Sequence, residues 1–285
     1  MPSRRAFLAT AAGLLGTATG VGLYTRFVEP EWLDVTTLPL PVRALPRALQ
    51  GARLVQLSDI HVGATVRDQY VRDTFDRVRA MAPDIVVITG DLVSHHVGML
   101  EHAEAIYADL PRGRLATVVT FGNHDYGPEW KQPAVAAGLR GMLENLGVTV
   151  LVNEVATVEG LQVVGLGDLW AGQFDPSRAF AKVDPQTAQV VLSHNPDTVD
   201  LAGWGAFDGW VLAGHTHGGQ CKAPFLRPPI LPVQNKRYSS GVFALDGGRH
   251  MYINRGVGTY LPVRFNVRPE VTAFTLGAAQ PPGTT

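Results

Sequence analysis

An α/β fold is predicted by three features of the chain. Six short apolar runs rich in β-branched residues, RLVQL (53–57), DIVVIT (84–89), LATVVTF (115–121), LQVVGLG (161–167), AQVVLSH (188–194) and GWVLAG (209–214), alternate with longer segments of helical period such as Asp68–Met81 and Ala134–Leu146. The runs are continuously apolar, as strands buried on both faces must be. Five of them lead into polar clusters: SDIH, GDLV, GNHD, SHNP and GHTH. In α/β sheets ligands bind beyond the carboxyl ends of strands, where loops from different strands converge.

Composition limits the possible functions. With 285 residues, 46% hydrophobic and 17% charged, the chain can bury the core of one sizeable domain or two small ones. A formal net charge of -1 lacks the basic excess of a general nucleic-acid binder, so no nucleic-acid partner is expected. Cys221 is the single cysteine, which excludes an internal disulfide and any cysteine-rich metal site. No GxSxG and no P-loop is present, which disfavours a serine hydrolase and a nucleotide kinase or ATPase.

The elements follow in chain order. Residues 1–27 read MPSRRAFLATAAGLLGTATGVGLYTRF: paired arginines, an uncharged stretch from Ala6 to Tyr24, then Arg26. This is expected to be an export signal or a membrane anchor rather than part of the fold, because it has no polar face to suit an amphipathic first helix. SRRAFL resembles the twin-arginine motif, which implies passage through that export machinery to the periplasm, the cell wall or the outer face of the membrane. Residues 28–52, with Pro30, Pro39, Pro41 and Pro46, are expected to be a tether with an edge strand. Residues 53–277 form the catalytic domain in this reading, and the tail 278–285 is expected to be disordered.

GHTHGGQ (214–220) raises the chemistry. In extended chain, side chains two apart share a face, so His215 and His217 can address one small target from a glycine-rich loop. Taken alone, a solvated polar turn explains the pair equally well. The other strand ends add Asp59, His61, Asp91, Asn123, His124, Asp125 and His194. Carboxylate, amide oxygen and imidazole without thiolate suit manganese, iron or zinc better than calcium or a structural zinc. So many convergent donors exceed one coordination sphere and imply two ions sharing a carboxylate, an arrangement that clamps both oxygens of a displacement at phosphorus.

As an ordered set, DIH, GDLV, GNHD, SHNP and GHTHGGQ resemble the motif series of the calcineurin-like metallophosphoesterases over about Arg53 to Leu276. The resemblance implies a four-layer α/β/β/α sandwich of two mixed β-sheets flanked by helices. It implies a first ion held by Asp59, His61, Asp91 and His217, and a second by Asp91, Asn123, His194 and His215. Two divalent ions are thus expected as cofactors, manganese first, with iron, zinc or magnesium as alternatives. In such enzymes a hydroxide held between the ions attacks the phosphoester. His124 matches the histidine that meets the phosphate and assists the leaving group, and Asp125 the acid that orients it. GHTHGGQ, NRGVGTYLPVRFNVRPE (254–270) and the leader together resemble the exported or membrane-attached bacterial branch, which implies a cell-envelope or lipid-linked phosphoester, with phosphodiester hydrolysis expected. Alternatives are pyrophosphate hydrolysis of a nucleotide-activated lipid such as UDP-diacylglucosamine, and a non-catalytic metal-binding scaffold.

Four histidines stand outside this set: His95, His96, His102 and His250. None is expected to ligate. Arg255 and Arg264 are candidates to grip phosphate, or else partners of structural carboxylates. Cys221 stands where that branch carries an aliphatic residue, and is expected to be a small buried hydrophobe. From Gly218 to Leu245 no acid occurs, while Lys222, Arg227, Lys236 and Arg237 interleave with Phe225, Leu226, Ile230 and Leu231. That composition suits contact with a membrane surface, and suits a long surface crossover equally.

Overall fold

A computed structural model describes residues 3–94 and 99–279; His95, His96 and the chain from residue 280 lie outside it. The predicted runs become β2 (Arg53–Leu57), β3 (Ile85–Thr89), β4 (Ala116–Thr120), β7 (Leu161–Gly165), β8 (Ala188–Leu192) and β9 (Trp210–Ala213). To these the fold adds β1 (Asp34–Val42), β5 (Thr149–Val150), β6 (Glu154–Val158), β10 (Gly241–Ala244), β11 (His250–Ile253) and β12 (Glu270–Ala278). The helices are α1 (Arg4–Phe27), α2 (Asp68–Ala80), α3 (Met99–Tyr107), α4 (Pro133–Asn145) and the short α5 (Pro176–Phe180). Of these, α3 and α5 are not evident from periodicity.

Two mixed six-stranded sheets result, ordered β1-β12-β2-β3-β4-β5 and β10-β11-β9-β8-β7-β6. In the first, β2 to β5 run parallel and β12 returns antiparallel against β2. In the second, β7, β8, β9 and β11 run parallel between antiparallel edges. Successive residues of a strand serve opposite faces. Leu54, Ile85, Val87 and Val118 meet Val163, Val190, Leu192 and Leu212 between the sheets. Val55, Leu57, Val86 and Ile88 pack instead against Tyr70, Phe75 and Val78 of α2 and Leu139 and Leu143 of α4. Beyond the second sheet, Val164, Val191 and Val211 pack with Ala179, Trp204 and Phe207. Covered on both faces, each strand needs apolar residues throughout, which is why its sequence shows no alternation.

The first sheet begins ahead of Arg53. β1 pairs in parallel with β12 over nine residues, from Asp34↔Glu270 to Val42↔Ala278. It lies on the sheet edge, where Pro39 and Pro41 can lack an N–H at no cost to the ladder. β12 itself runs on through Ala278, so ordered pairing reaches into the segment expected to be a tail.

Most of α1 is exposed, including Leu8, Leu14, Leu15, Leu23 and Phe27. Its last turn is fastened to the domain by the Arg264 amide donating to the Thr25 carbonyl at 3.0 Å. Among the described residues, no helix is long and apolar enough to cross a membrane.

Candidate metal centre

The strand ends bring their polar clusters to one edge of the sandwich. Asp59, His61 and His217 form one group of mutually close ligand atoms, all within 4.8 Å, and Asp91, His194 and His215 form a second. All six side chains are buried. Asp91 Oδ2 lies 3.2 Å from His194 Nε2 and 3.6 Å from His61 Nε2, so this one carboxylate oxygen faces both groups. Asn123 is 1% exposed, and neither end of its amide meets a hydrogen-bond partner.

These contacts test whether ions fit. His61 Nε2 and His217 Nε2 point at each other across 3.1 Å, and His215 Nδ1 and His194 Nε2 do the same. His217 Nε2 also stands 3.3 Å from Asp59 Oδ1. Ring nitrogens paired at 3.1 Å, buried carboxylates and an orphaned amide converge on one small space, a donor set that suits divalent cations. The chain therefore holds two candidate sites for divalent ions.

Outer hydrogen bonds select the nitrogen each imidazole presents. His194 Nδ1 donates to the Thr89 carbonyl at 2.7 Å, leaving Nε2 for an ion; His215 Nε2 donates to the Pro232 carbonyl at 2.8 Å, leaving Nδ1. Burial lowers His61 and His215 to about 3, and His217 well below its usual value, so these rings are neutral near pH 7. Burial alone would depress His194 too, but the neighbouring Asp91 and Asp59 carboxylates outweigh it and raise that ring well above the ordinary imidazole value. Burial also raises Asp59 to about 6. Asp91 is held well below the carboxylate range: burial opposes this, and His194, His124 and His61 prevail.

The backbone is strained here. Asp59, His61, Asp91, His215 and His217 have φ of 50°, 52°, 53°, 70° and 49°. Left-handed backbone costs a non-glycine residue roughly 1–2 kcal/mol. Such outliers concentrate at functional sites. The adjoining glycines allow close approach: a Cβ on Gly214 would collide with Ser58 Oγ and Asp59 Oδ2, and one on Gly122 with Asp91 Oδ1.

His124 is half-buried beside both groups. Its amide donates to Asp91 Oδ1 at 2.9 Å, and its ring lies 5.0 Å edge-on from that of His61. Asp125, the next residue, is buried. Its carboxylate accepts backbone N–H groups from Gly122 (2.8 Å), Asp91 (2.9 Å), Leu92 (2.8 Å) and Val93 (3.3 Å). It thereby joins the Asp91 loop to the His124 loop by their backbones.

The two candidate phosphate-binding arginines are committed elsewhere. Arg264 is 0% exposed, and its guanidinium donates to the carbonyls of Val267, Arg255, Gly256 and Gly258 at 2.7–3.2 Å. Arg255 pairs with Glu270 and Asp34, each at 3.0 Å. Both are structural partners of protein acceptors, so neither is placed to grip a phosphate. His102 pairs with Asp68 and His250 stacks on Trp210, apart from both groups. Cys221 is half-buried rather than buried, and forms an isolated β-bridge with Phe265.

One cluster escapes a motif reading. β7 also ends in a polar turn, GDLW (167–170), where Asp168 is buried with Oδ2 unpartnered and is raised to about 6 by burial. Trp170 sets its ring edge-on to His215 at 4.4 Å, and Trp130 and Tyr260 complete an aromatic rim. The rule that polar residues collect after strand ends was the signal available for this turn.

Fold and site together define a metal-dependent phosphoester hydrolase. Residues 52–219 match the calcineurin-like phosphoesterase family, and the chain belongs to it. The phosphodiesterase YaeI of Escherichia coli (strain K12) is 34% identical across 97% of this chain and 100% of its own length. The uncharacterized metallophosphoesterase YkuE of Bacillus subtilis (strain 168) is 31% identical across 96% of this chain and 97% of its own. The UDP-2,3-diacylglucosamine pyrophosphatase LpxG of Chlamydia trachomatis is 27% identical across 87% of this chain and 91% of its own.

Proposed function

We propose that the protein is a two-metal phosphodiesterase that acts outside the cytoplasmic membrane on a cell-envelope or lipid-linked phosphoester. The observation that carries the catalytic part is the position of Asp91 Oδ2 between two ligand groups, with the unpartnered Asn123 amide beside them. Asp59, His61, Asp91 and His217 hold one ion, and Asp91, Asn123, His194 and His215 the other, manganese being the expected metal. When bound, the pair supplies Lewis acidity toward a phosphoryl oxygen and lowers the pKa of water. Thr89 and Pro232 keep the two ligating histidines in the right tautomer. His124 meets the phosphate at the rim and moves a proton to the departing oxygen, a contribution of roughly 10²–10⁴ in rate. Asp125 acts at one remove, by fixing the loops that carry Asp91 and His124.

For the setting, the SRRAFL leader favours twin-arginine export, and two exposed features favour contact with a membrane surface. One is α1, whose Leu8, Leu14, Leu15 and Leu23 are exposed ahead of its fastened last turn. The other is the acid-free loop, where Phe225 is fully exposed and Leu226 and Ile230 are largely so. That loop is tied to the metal centre by the Pro232 carbonyl and held at its far end by Asp197, which accepts the amides of Gln234 and Asn235. A second reading, pyrophosphate hydrolysis of a nucleotide-activated lipid, is favoured by the likeness to LpxG over most of the chain.

The test is hydrolysis of bis-p-nitrophenyl phosphate and p-nitrophenyl phosphate by the metal-stripped protein resupplied with Mn, Fe, Zn or Mg. Metal-dependent turnover of the diester is expected, with a loss of about 10²-fold or more in His124→Ala at unchanged metal content. Preference for the monoester would overturn the diesterase reading. Turnover without added metal, retained in Asp91→Asn, would overturn the two-metal mechanism.

A further inference from the structure

We propose that the recess walled by Trp130, Trp170 and Tyr260 is a stacking subsite for a planar aromatic ring, a nucleobase or similar aryl group, on one ester arm of the substrate. The inference rests on the phosphoesterase reading and adds the chemistry of one substrate arm.

The recess is open to solvent, measures about 560 Å³ and is lined by Glu129, Trp130, Lys131, Trp170 and Tyr260. It opens beside the metal ligands. Trp170 stands perpendicular to the His215 ring at 4.4 Å, Tyr260 lies 5.1 Å from the His124 ring, and Trp130 lies 6.4 Å from it. A phosphate at the metal groups would leave its ester arm against these rings. Trp130 and Trp170 lie 4.9 Å apart with 33° between their planes, so the two indoles pack on each other and each leaves its outer face for a further ring.

The rings do no work in the interior. None of the three belongs to a hydrophobic core cluster, and Tyr260 is 49% exposed. Yet the chain goes to some length to hold them. Glu129 and Trp130 are consecutive non-glycine residues with φ of 57° and 59°, a conformation that costs each roughly 1–2 kcal/mol. The turn bearing Trp170 is fixed on both sides: Asp168 accepts the Ala171 amide at 2.7 Å, and Asn153 accepts the amides of Gly167 and Asp175 at 2.9 and 3.1 Å. Strain and a rigid turn spent on half-exposed rings point to a ligand rather than to folding. Glu129 and Lys131 add an acceptor and a donor at the rim. A ring with polar edges can stack on an indole and hydrogen-bond to both, whereas an acyl chain can use neither; this favours the aromatic occupant.

The test is calorimetric binding to the full-length, metal-loaded protein of monoesters, the products of a diesterase. Thymidine 5′-monophosphate is compared with 2-deoxyribose 5-phosphate, which lacks the base, and with octyl phosphate. About tenfold tighter binding of the thymidine ester over both is expected, by the worth of one base stacked on an aromatic side chain. In Trp130→Ala the advantage should shrink to within twofold at unchanged metal content, and Trp130→Phe should restore most of it. Tyr260→Leu, on a separate loop, should also reduce it. Equal affinity for the thymidine and base-free esters, an octyl ester binding as tightly as thymidine monophosphate, or an advantage that survives in Trp130→Ala would each overturn the subsite while leaving the phosphoesterase reading intact. If the metal-loaded protein binds none of these and no inorganic phosphate, the phosphoesterase reading fails with it.

Discussion

Asp125 shows how much a buried carboxylate can do without touching a substrate. Four backbone N–H groups from two loops end on it. Asp125→Ala would leave those donors buried and unmet, at about 1–3 kcal/mol for each that finds no water. The expected outcome is a melting temperature lower by many degrees and less metal retained, read by thermal unfolding and metal analysis; unchanged metal content would show that the Asp91 loop holds itself. Protonation at the ligands sets the pH dependence of loading. In the metal-free chain Asp59 titrates at about 6, and His194 is held protonated above the ordinary imidazole range, while His61 and His215 titrate near 3. An incoming ion therefore displaces a proton from His194, and below about pH 6 from Asp59 as well, and from neither of the other two rings. Affinity should weaken as pH falls through about 6, which metal titrations at pH 5 and pH 7.5 would reveal. Equal affinity at both values would contradict these protonation states.

Among the elements, the loop after β9 is the most tightly constrained. Gly214 sits against Ser58 and Asp59, which belong to the loop after β2, and His215 N donates to Asp59 at 3.0–3.1 Å. Gly214→Ala should push these loops apart, reducing metal affinity and turnover together while the helices keep their signal in circular dichroism. Normal turnover would mean the loops can yield without harm. The loop from Gly218 to Arg237 makes a different prediction. Replacing Phe225 and Leu226 with serine should lower activity on anionic lipid vesicles and spare a small soluble ester, because both side chains are exposed and contact no metal ligand. Equal loss on both substrates would rule out a membrane contact.

At the scale of the molecule, Glu270 helps close the first sheet onto the site. It opens β12, pairs with Arg255 at 3.0 Å, and accepts the Tyr252 hydroxyl at 2.6 Å from the opposing sheet. Burial would raise its carboxyl, but Arg255 outweighs burial and holds it below its usual value of 4.5. Since the folded state binds the proton less readily than the unfolded chain, this stability is complete above about pH 4.5 and is lost as pH falls below it. Glu270→Gln should be destabilised at pH 7 by about 1–3 kcal/mol, the worth of a hydrogen bond to a charged group, since Arg255 keeps its pair with Asp34. The gap to wild type should narrow toward pH 3; a gap independent of pH would mean that packing, not charge, is what the substitution removes.

The chain's own order of residues determined the fold class and the ligand types, because both are local. Short, largely apolar runs rich in β-branched residues and alternating with helical segments read as strands covered on both faces, and the residues after them lie at the carboxyl ends of the strands, as Asp59, Asp91, Asn123, His194 and His215 do. The GDLW turn follows the same rule after β7. What only the tertiary structure decided depends on partners far away in the chain. Asp91 meets His194 across 103 positions, Asp125 spends its oxygens on the amides of a loop more than 30 residues earlier, and Arg255 reaches Asp34, 221 positions away, only when β1 has joined β12. An arginine or aspartate at a strand end looks the same in sequence whether it meets substrate or backbone. Buried hydrogen-bonding groups must find partners. Which partner each finds is settled when the two sheets pack together, and that packing is not a local property of any motif.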